Sequence, residues 1–185
     1  IEVVDIMVGA LADYANFESS LDGKTGALIN LGNTSTSVGI FSKGILINSE
    51  ILNLGGYELD RDIGLKYNLK RRDAKMVKEK FALASVKNAS NKEQMKLTDK
   101  NGENIIISQR DVSELVSNRL KEVLKLAKKT INHLTKKEIS YIIVTGGLTE
   151  LRDAPLVIHE EFGNKARLGM INYVGARYNG YSTCI

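Results

Sequence analysis

The chain has 185 residues, a net charge of +4, 43% apolar residues, no Trp and a single Pro. That is enough for one compact domain with a real core, and the balance of apolar to charged side chains excludes a disordered tail. Its single cysteine, Cys184, excludes an internal disulfide, and no stretch reaches the roughly 20 apolar residues that cross a bilayer.

In chain order, "IEVVDIMVGALADYANF" carries Glu2, Asp5 and Asp13, so it reads as an internal helix rather than a signal peptide, and the cytosol is the expected compartment. "GALINL" and "TSVGIF" predict strands around the loop 32–35, and "GILINSEILNL" predicts a third after a Lys43-Gly44 turn. The first strand is apolar enough to be central in this antiparallel meander. "GGYELDRDIGLKYNL" and "RRDAKMVKEKFALA" predict two helices. Leu59, Ile63 and Leu65 form the expected apolar side of the first, and Ala74, Val77 and Phe81 that of the second. The polar region 85–104 leads into a hairpin in which "QMKL" and "NIIIS" flank an Asn-Gly pair.

The strongest helix signal starts at Val112 and recurs at Leu115, Val116, Leu120, Val123, Leu124, Ala127, Ile131 and Leu134, a continuous stripe at a 3.6 period. "ISYIIVTGG" then predicts a buried strand, "LTELRDAPLVIHEEFG" a helix ending at Gly163, and "KARLGMI" a last short strand. This order describes one α/β unit with an inserted subdomain.

Positive charge is uneven. Residues 66–80 hold seven basic side chains against Asp73 and Glu79, and residues 119–137 hold seven against Glu122 alone. Such faces serve solubility or an acidic partner. His133 and His159 have no partner at ligand spacing, so no metal site is expected, and no Ser-His-Asp or Cys-His frame is present.

The chemistry lies in the glycines. "GNTSTS" offers backbone N–H groups and hydroxyls of Gly32, Asn33, Thr34, Ser35 and Thr36 that can wrap an anionic oxygen. Gly55 and Gly56 let backbone approach a ligand just before a helix, and Gly146 and Gly147, followed by Leu148, close a strand before the next helix. Each alone is also ordinary turn chemistry. The three together, in this order, are far more specific.

That set resembles the second domain of the actin-like ATPase superfamily and, within it, the bacterial division proteins of the FtsA family. Residues 26–64 are similar to the family's phosphate hairpin, next strand and Gly-Gly-x-x-x-x-x-Asp-Ile helix start; "AKMVKEKFA" is similar to its Ala-Glu-x-x-Lys helix. "VSNRLKEV" resembles its Pro-Arg helix with Asn118 for the proline, "YIIVTGGLTEL" its adenosine motif, and "RLGMINYVGARYNGYSTCI" its closing segment. The implied fold is one half of the ribonuclease H-like actin architecture: a core of residues 1–84 and 138–185, with residues 85–137 as a small inserted subdomain.

The resemblance implies an ATP site at Asn30, Gly32, Asn33, Thr34, Ser35, Thr36, Gly55, Gly56, Lys78, Gly146, Gly147 and Leu148. Several positions depart from the family pattern. Asn30 stands where an aspartate helps hold hydrated magnesium, Thr34 where a glycine is usual, Lys75 where Glu is common, Leu148 for a third glycine, and Arg152-Asp153 for Pro-Gly. An amide brings no charge to Mg²⁺, so weak metal binding and weak or absent hydrolysis are expected while ATP binding persists. By the same resemblance, the C-terminal tail of the tubulin-like FtsZ docks on basic side chains, with Arg119, Lys121 and Lys125 as one patch and Lys70, Arg71 and Arg72 as a second. Self-association through the actin-like fold is also implied. Nucleic acid is not an expected partner, and membrane contact is expected only through segments outside this chain. A pilus-assembly adaptor of the PilM type and a working ATPase are the competing expectations.

Overall fold

The computed structural model describes residues 9–15 and 23–169. Residues 170–185 of the closing segment, Cys184 among them, and both ends of the expected opening helix lie outside the described residues. Three strands, β1 (Thr25–Leu31), β2 (Thr36–Ser42) and β3 (Ile45–Leu52), form the expected meander. Lys43 and Gly44 both adopt positive φ, the paired left-handed conformation of a tight hairpin turn. β6 (Tyr141–Thr145) lies parallel to β1, and β7 (Ala166–Leu168) parallel to β6, giving a sheet of order β3-β2-β1-β6-β7. The central place of β1 explains its near-continuous apolar sequence, since both of its faces are covered.

One face of the sheet carries Ala27, Ile29, Leu31, Val38 and Ile40 into the main core. There they meet α2 (Gly56–Lys66), α3 (Arg71–Lys80), α4 (Gln109–Leu134) and α5 (Ala154–Phe162). The other face carries Leu28 and Phe41 against α1 (Gly9–Ala15), where Tyr14 stacks on Phe41 with ring centroids 4.1 Å apart. The α4 stripe is buried, apart from Leu115 and Leu134, which are half-buried against the same core, and Ser108 caps the helix by accepting a hydrogen bond from the Asp111 N–H. β4 (Gln94–Thr98) and β5 (Asn104–Ser108) pair only with each other, whereas α4 lies in the same apolar cluster as the main sheet.

Two expectations need correction. Leu65 is 71% exposed. It follows Ile63 by two residues, about 200° around the helix, and so points away from the Leu59–Ile63 side. The helix expected from Leu148 onward begins only at Ala154: residues 147–150 form a single 3-10 turn, Asp153 sits at φ 67°, and Pro155 enters in the first turn. Proline suits that position because its missing N–H has no partner there in any case. Among the described residues no helix is long and apolar enough to cross a membrane.

Candidate functional site

The three glycine turns meet at one end of the sheet. The loop between β1 and β2 closes on itself through Gly32 N–H to Ser35 C=O at 3.0 Å. The start of α2 then docks on it: Gly56 N–H donates to Gly32 C=O at 3.0 Å and Tyr57 N–H to Asn33 C=O at 2.7 Å. A Cβ on Gly55 would stand 2.6 Å from the carbonyl oxygens of Gly32 and Asn33, so glycine is what permits the contact. These first N–H groups of α2 therefore hold the hairpin loop in place.

Gly32, Asn33, Gly56, Lys78, Gly147 and Leu148 converge on one cavity of about 560 Å³, within the range of roughly 300–1,000 Å³ typical of small-molecule sites. The other predicted nucleotide residues lie around it rather than in it. Thr34 is exposed, and the buried Thr36 hydroxyl donates to Leu54 C=O at 2.8 Å. Gly55 packs behind the loop, as described. Gly146, at φ 94°, brings β6 so close to β1 that a Cβ would sit 2.5 Å from Asn30 Oδ1 and Leu31 C=O. Asn30 and Ser35 instead line a hollow on the α1 side of the sheet.

Asn30 has a specific partner there. Its Nδ2 donates to Asp13 Oδ2 at 2.8 Å, and the Asp13 side chain is buried. An ionised carboxylate only accepts hydrogen bonds, so this contact fixes the amide's orientation, nitrogen toward α1. A lone acid in an alanine-rich helix is the only trace of this contact in the sequence.

A second acid was equally unforeseen. Asp60 Oδ1 lies 2.7 Å from Lys78 Nζ, with the two side chains 1% and 5% exposed, and Lys78 also donates to Gly56 C=O at 3.2 Å. The available signal was positional. Asp60 stands one residue after Leu59 and three before Ile63, on the inward side of α2, and Lys78 follows Val77 on the inward side of α3. Lys75 and Glu79 pair at 3.7 Å on the cavity's lip, and Glu150 and Leu151 complete its lining.

The glycine backbone, one buried ammonium and the apolar Leu148 and Leu151 suit a nucleotide in this cavity. Magnesium fits less well, because Asn30 is an uncharged amide that lines the other hollow. Among the described residues no group of three or more His, Cys, Asp or Glu side chains could hold a metal ion.

The basic residues fall into two states. Arg119 on α4 is engaged, with Nε 2.7 Å from Asp62 Oδ2 and Nη1 2.7 Å from Glu122 Oε2. The hydrogen bond to Asp62 is the main reason its guanidinium holds its proton more firmly than usual. Lys121 approaches Glu160 at 3.6 Å, and Lys125 is exposed. Lys70, Arg71 and Arg72 are all exposed at the start of α3, and Arg71 lies over the Tyr57 ring at 4.5 Å.

A meander continued by parallel strands, with three glycine turns around a cavity at its end, defines one half of the actin-like ATPase fold. MreB5 of Spiroplasma citri bound to AMPPNP matches with a TM-score of 0.78 and 18% identity, over 99% of this chain and 57% of that one. A PilM-PilN type IV pilus biogenesis complex matches with a TM-score of 0.68 and 14% identity, over 97% and 50%. The sequence profile of "Cell division protein FtsA" matches residues 27–185, and the chain belongs to that family. Relatives include the cell division protein FtsA of Bacillus subtilis (strain 168), 24% identical over 99% of this chain and 42% of its own length. That of Pseudomonas aeruginosa is 23% identical over 92% and 42%. The chain thus spans about 42% of the length of these relatives.

Proposed function

We propose that this chain is the second half of an FtsA-like division scaffold that binds ATP as a structural ligand, hydrolyses it weakly or not at all, and docks the C-terminal tail of FtsZ. The observation that carries this reading is the cavity itself. Three glycine turns and Lys78 enclose it, while Asn30, the β1 residue that by the family resemblance would help hold a metal, is an amide bonded to Asp13. A neutral side chain there leaves backbone donors for phosphate but contributes no charge to Mg²⁺, on which phosphoryl transfer depends. MreB5, solved with AMPPNP and with ADP, supports a nucleotide in this fold. Family membership favours division over pilus assembly, because the likeness to the PilM-PilN complex is one of fold. The tail docks on basic side chains of this half, Arg119, Lys121 and Lys125 on α4 and Lys70, Arg71 and Arg72 on α3. Self-association and membrane attachment belong to the full-length protein, the latter through segments outside this chain.

The test is calorimetric titration of the full-length protein with ATP, with and without Mg²⁺, following phosphate release in the same samples. Binding without release supports the scaffold. Rapid Mg²⁺-dependent release makes the protein an ATPase, and absence of binding removes the nucleotide from its function.

A further inference from the structure

The cavity of about 560 Å³ differs between its two ends. One end belongs to the hairpin and the start of α2. A Cβ on Gly56 would stand 3.3 Å from Lys78 Nζ and 3.4 Å from Asn33 Oδ1, so an ammonium and an amide meet there beside glycine backbone, and together they suit an anionic group. The other end is formed by residues 148–151, which run from Gly146, beside Asn30 and Leu31, to Arg152, beside the end of α3. It holds the buried side chains of Leu148 and Leu151 together with Glu150 and, from α3, Lys75 and Glu79.

The two acids at this end are not equivalent. Glu79 is engaged by Lys75 at 3.7 Å. Among the described residues the Glu150 carboxylate forms no hydrogen bond or ion pair, although the turn that carries it is held from both sides. Thr149 donates its N–H and its hydroxyl to Gly146 C=O at 3.0 and 2.7 Å. Arg152 Nη2 donates to the Lys80 and Phe81 carbonyls at 3.2 and 2.9 Å, and Asn88 Nδ2 to Asp153 Oδ2 at 2.9 Å. Glu150 is thus a preorganised acceptor beside two leucines in the cavity wall.

An ionised carboxylate only accepts hydrogen bonds, and its charge repels a phosphate. A flat ring that lies on the leucines and donates an N–H from its edge suits this end. Adenine carries such a donor in its 6-amino group, where guanine carries an oxygen that only accepts.

We infer that Glu150 is a specificity-determining residue of the nucleotide site, its carboxylate accepting a hydrogen bond from the 6-amino group of adenine while the ring rests on Leu148 and Leu151. The inference rests on the nucleotide reading above and deepens it by naming the side chain that selects the base. Guanine in the same pose would set two acceptors against each other, and a purine without the amino group would leave Glu150 without its donor.

The experiment is calorimetric titration of the full-length protein with ATP, GTP and the triphosphate of purine riboside, which lacks the 6-amino group. Wild type is expected to bind ATP about tenfold or more tightly than either of the others, the worth of one hydrogen bond to a charged acceptor. Glu150→Leu, at an exposed position, should bring ATP and the purine riboside triphosphate within about twofold of each other. Glu150→Gln, whose amide donates as well as accepts, should narrow the gap between ATP and GTP. Glu114→Gln, a charge control on the exposed side of α4, should leave both ratios within about twofold of wild type. An ATP preference that survives unchanged in Glu150→Leu would overturn the inference. So would a wild type that binds GTP or the purine riboside triphosphate as tightly as ATP. If the wild type binds none of the three, the nucleotide reading itself falls.

Discussion

Asn30, on the central strand, donates its side-chain amide to the buried carboxylate of Asp13 on α1, 17 residues earlier in the chain. An acidic side chain is thus present beside the hairpin, but it belongs to the α1 side of the sheet and does not line the cavity to which Lys78 belongs.

Asn30→Asp should therefore destabilise the protein. The variant removes the donor that Asp13 Oδ2 accepts from and sets two carboxyl groups in contact, one of them buried, at an expected cost on the order of 2–3 kcal/mol. Thermal unfolding measures it, and the exchanged pair, Asn30→Asp with Asp13→Asn, should recover most of the loss.

Lys78→Met strands Asp60 as a buried, uncompensated carboxylate and should cost roughly 3–5 kcal/mol in urea unfolding. Lys75→Met, which breaks the exposed pair with Glu79, should change stability by about 0.5 kcal/mol or less. Near-equal losses in the two variants would contradict the burial of the Asp60–Lys78 pair.

Gly146 and Gly147 should separate folding from binding. Gly146→Ala forces a Cβ into Asn30 and Leu31 at a positive φ, and a loss of about 2 kcal/mol or more is expected. A Cβ on Gly147 meets nothing within 4 Å, yet the residue lines the cavity. Gly147→Ala should leave the unfolding midpoint in place and lower ATP affinity in the calorimeter.

Thr36→Val removes a buried donor and leaves the Leu54 carbonyl unsatisfied, at an expected cost of about 1–2 kcal/mol in urea unfolding. Because that hydroxyl is already committed, ATP affinity should stay within about twofold of wild type by calorimetry.

What could be read from sequence was whatever repeats along the chain. The α4 stripe, the three strands of the meander and the Lys43-Gly44 turn are local patterns, and each appears where the residues place it. Leu65 was misplaced because apolar character alone does not fix an angle around a helix. The start of α5 was misplaced because the left-handed turn at Asp153 lies in a run that otherwise reads as helical. Asp13 with Asn30, and Asp60 with Lys78, were invisible as pairs for a different reason: each contact joins separate elements and exists only once the sheet and helices have packed. A charge on an inward helical face was legible, but its partner was not.

The Asp60–Lys78 pair belongs to two places at once. Lys78 lines the cavity of about 560 Å³, and Asp60 lines a hollow of about 170 Å³ between α2, the start of α3 and the tip of the β4–β5 hairpin, so a single ion pair forms part of both walls. Thermodynamic linkage makes the effect mutual: any ligand in one cavity that shifts this pair changes affinity in the other by the same factor that its own affinity is changed in return.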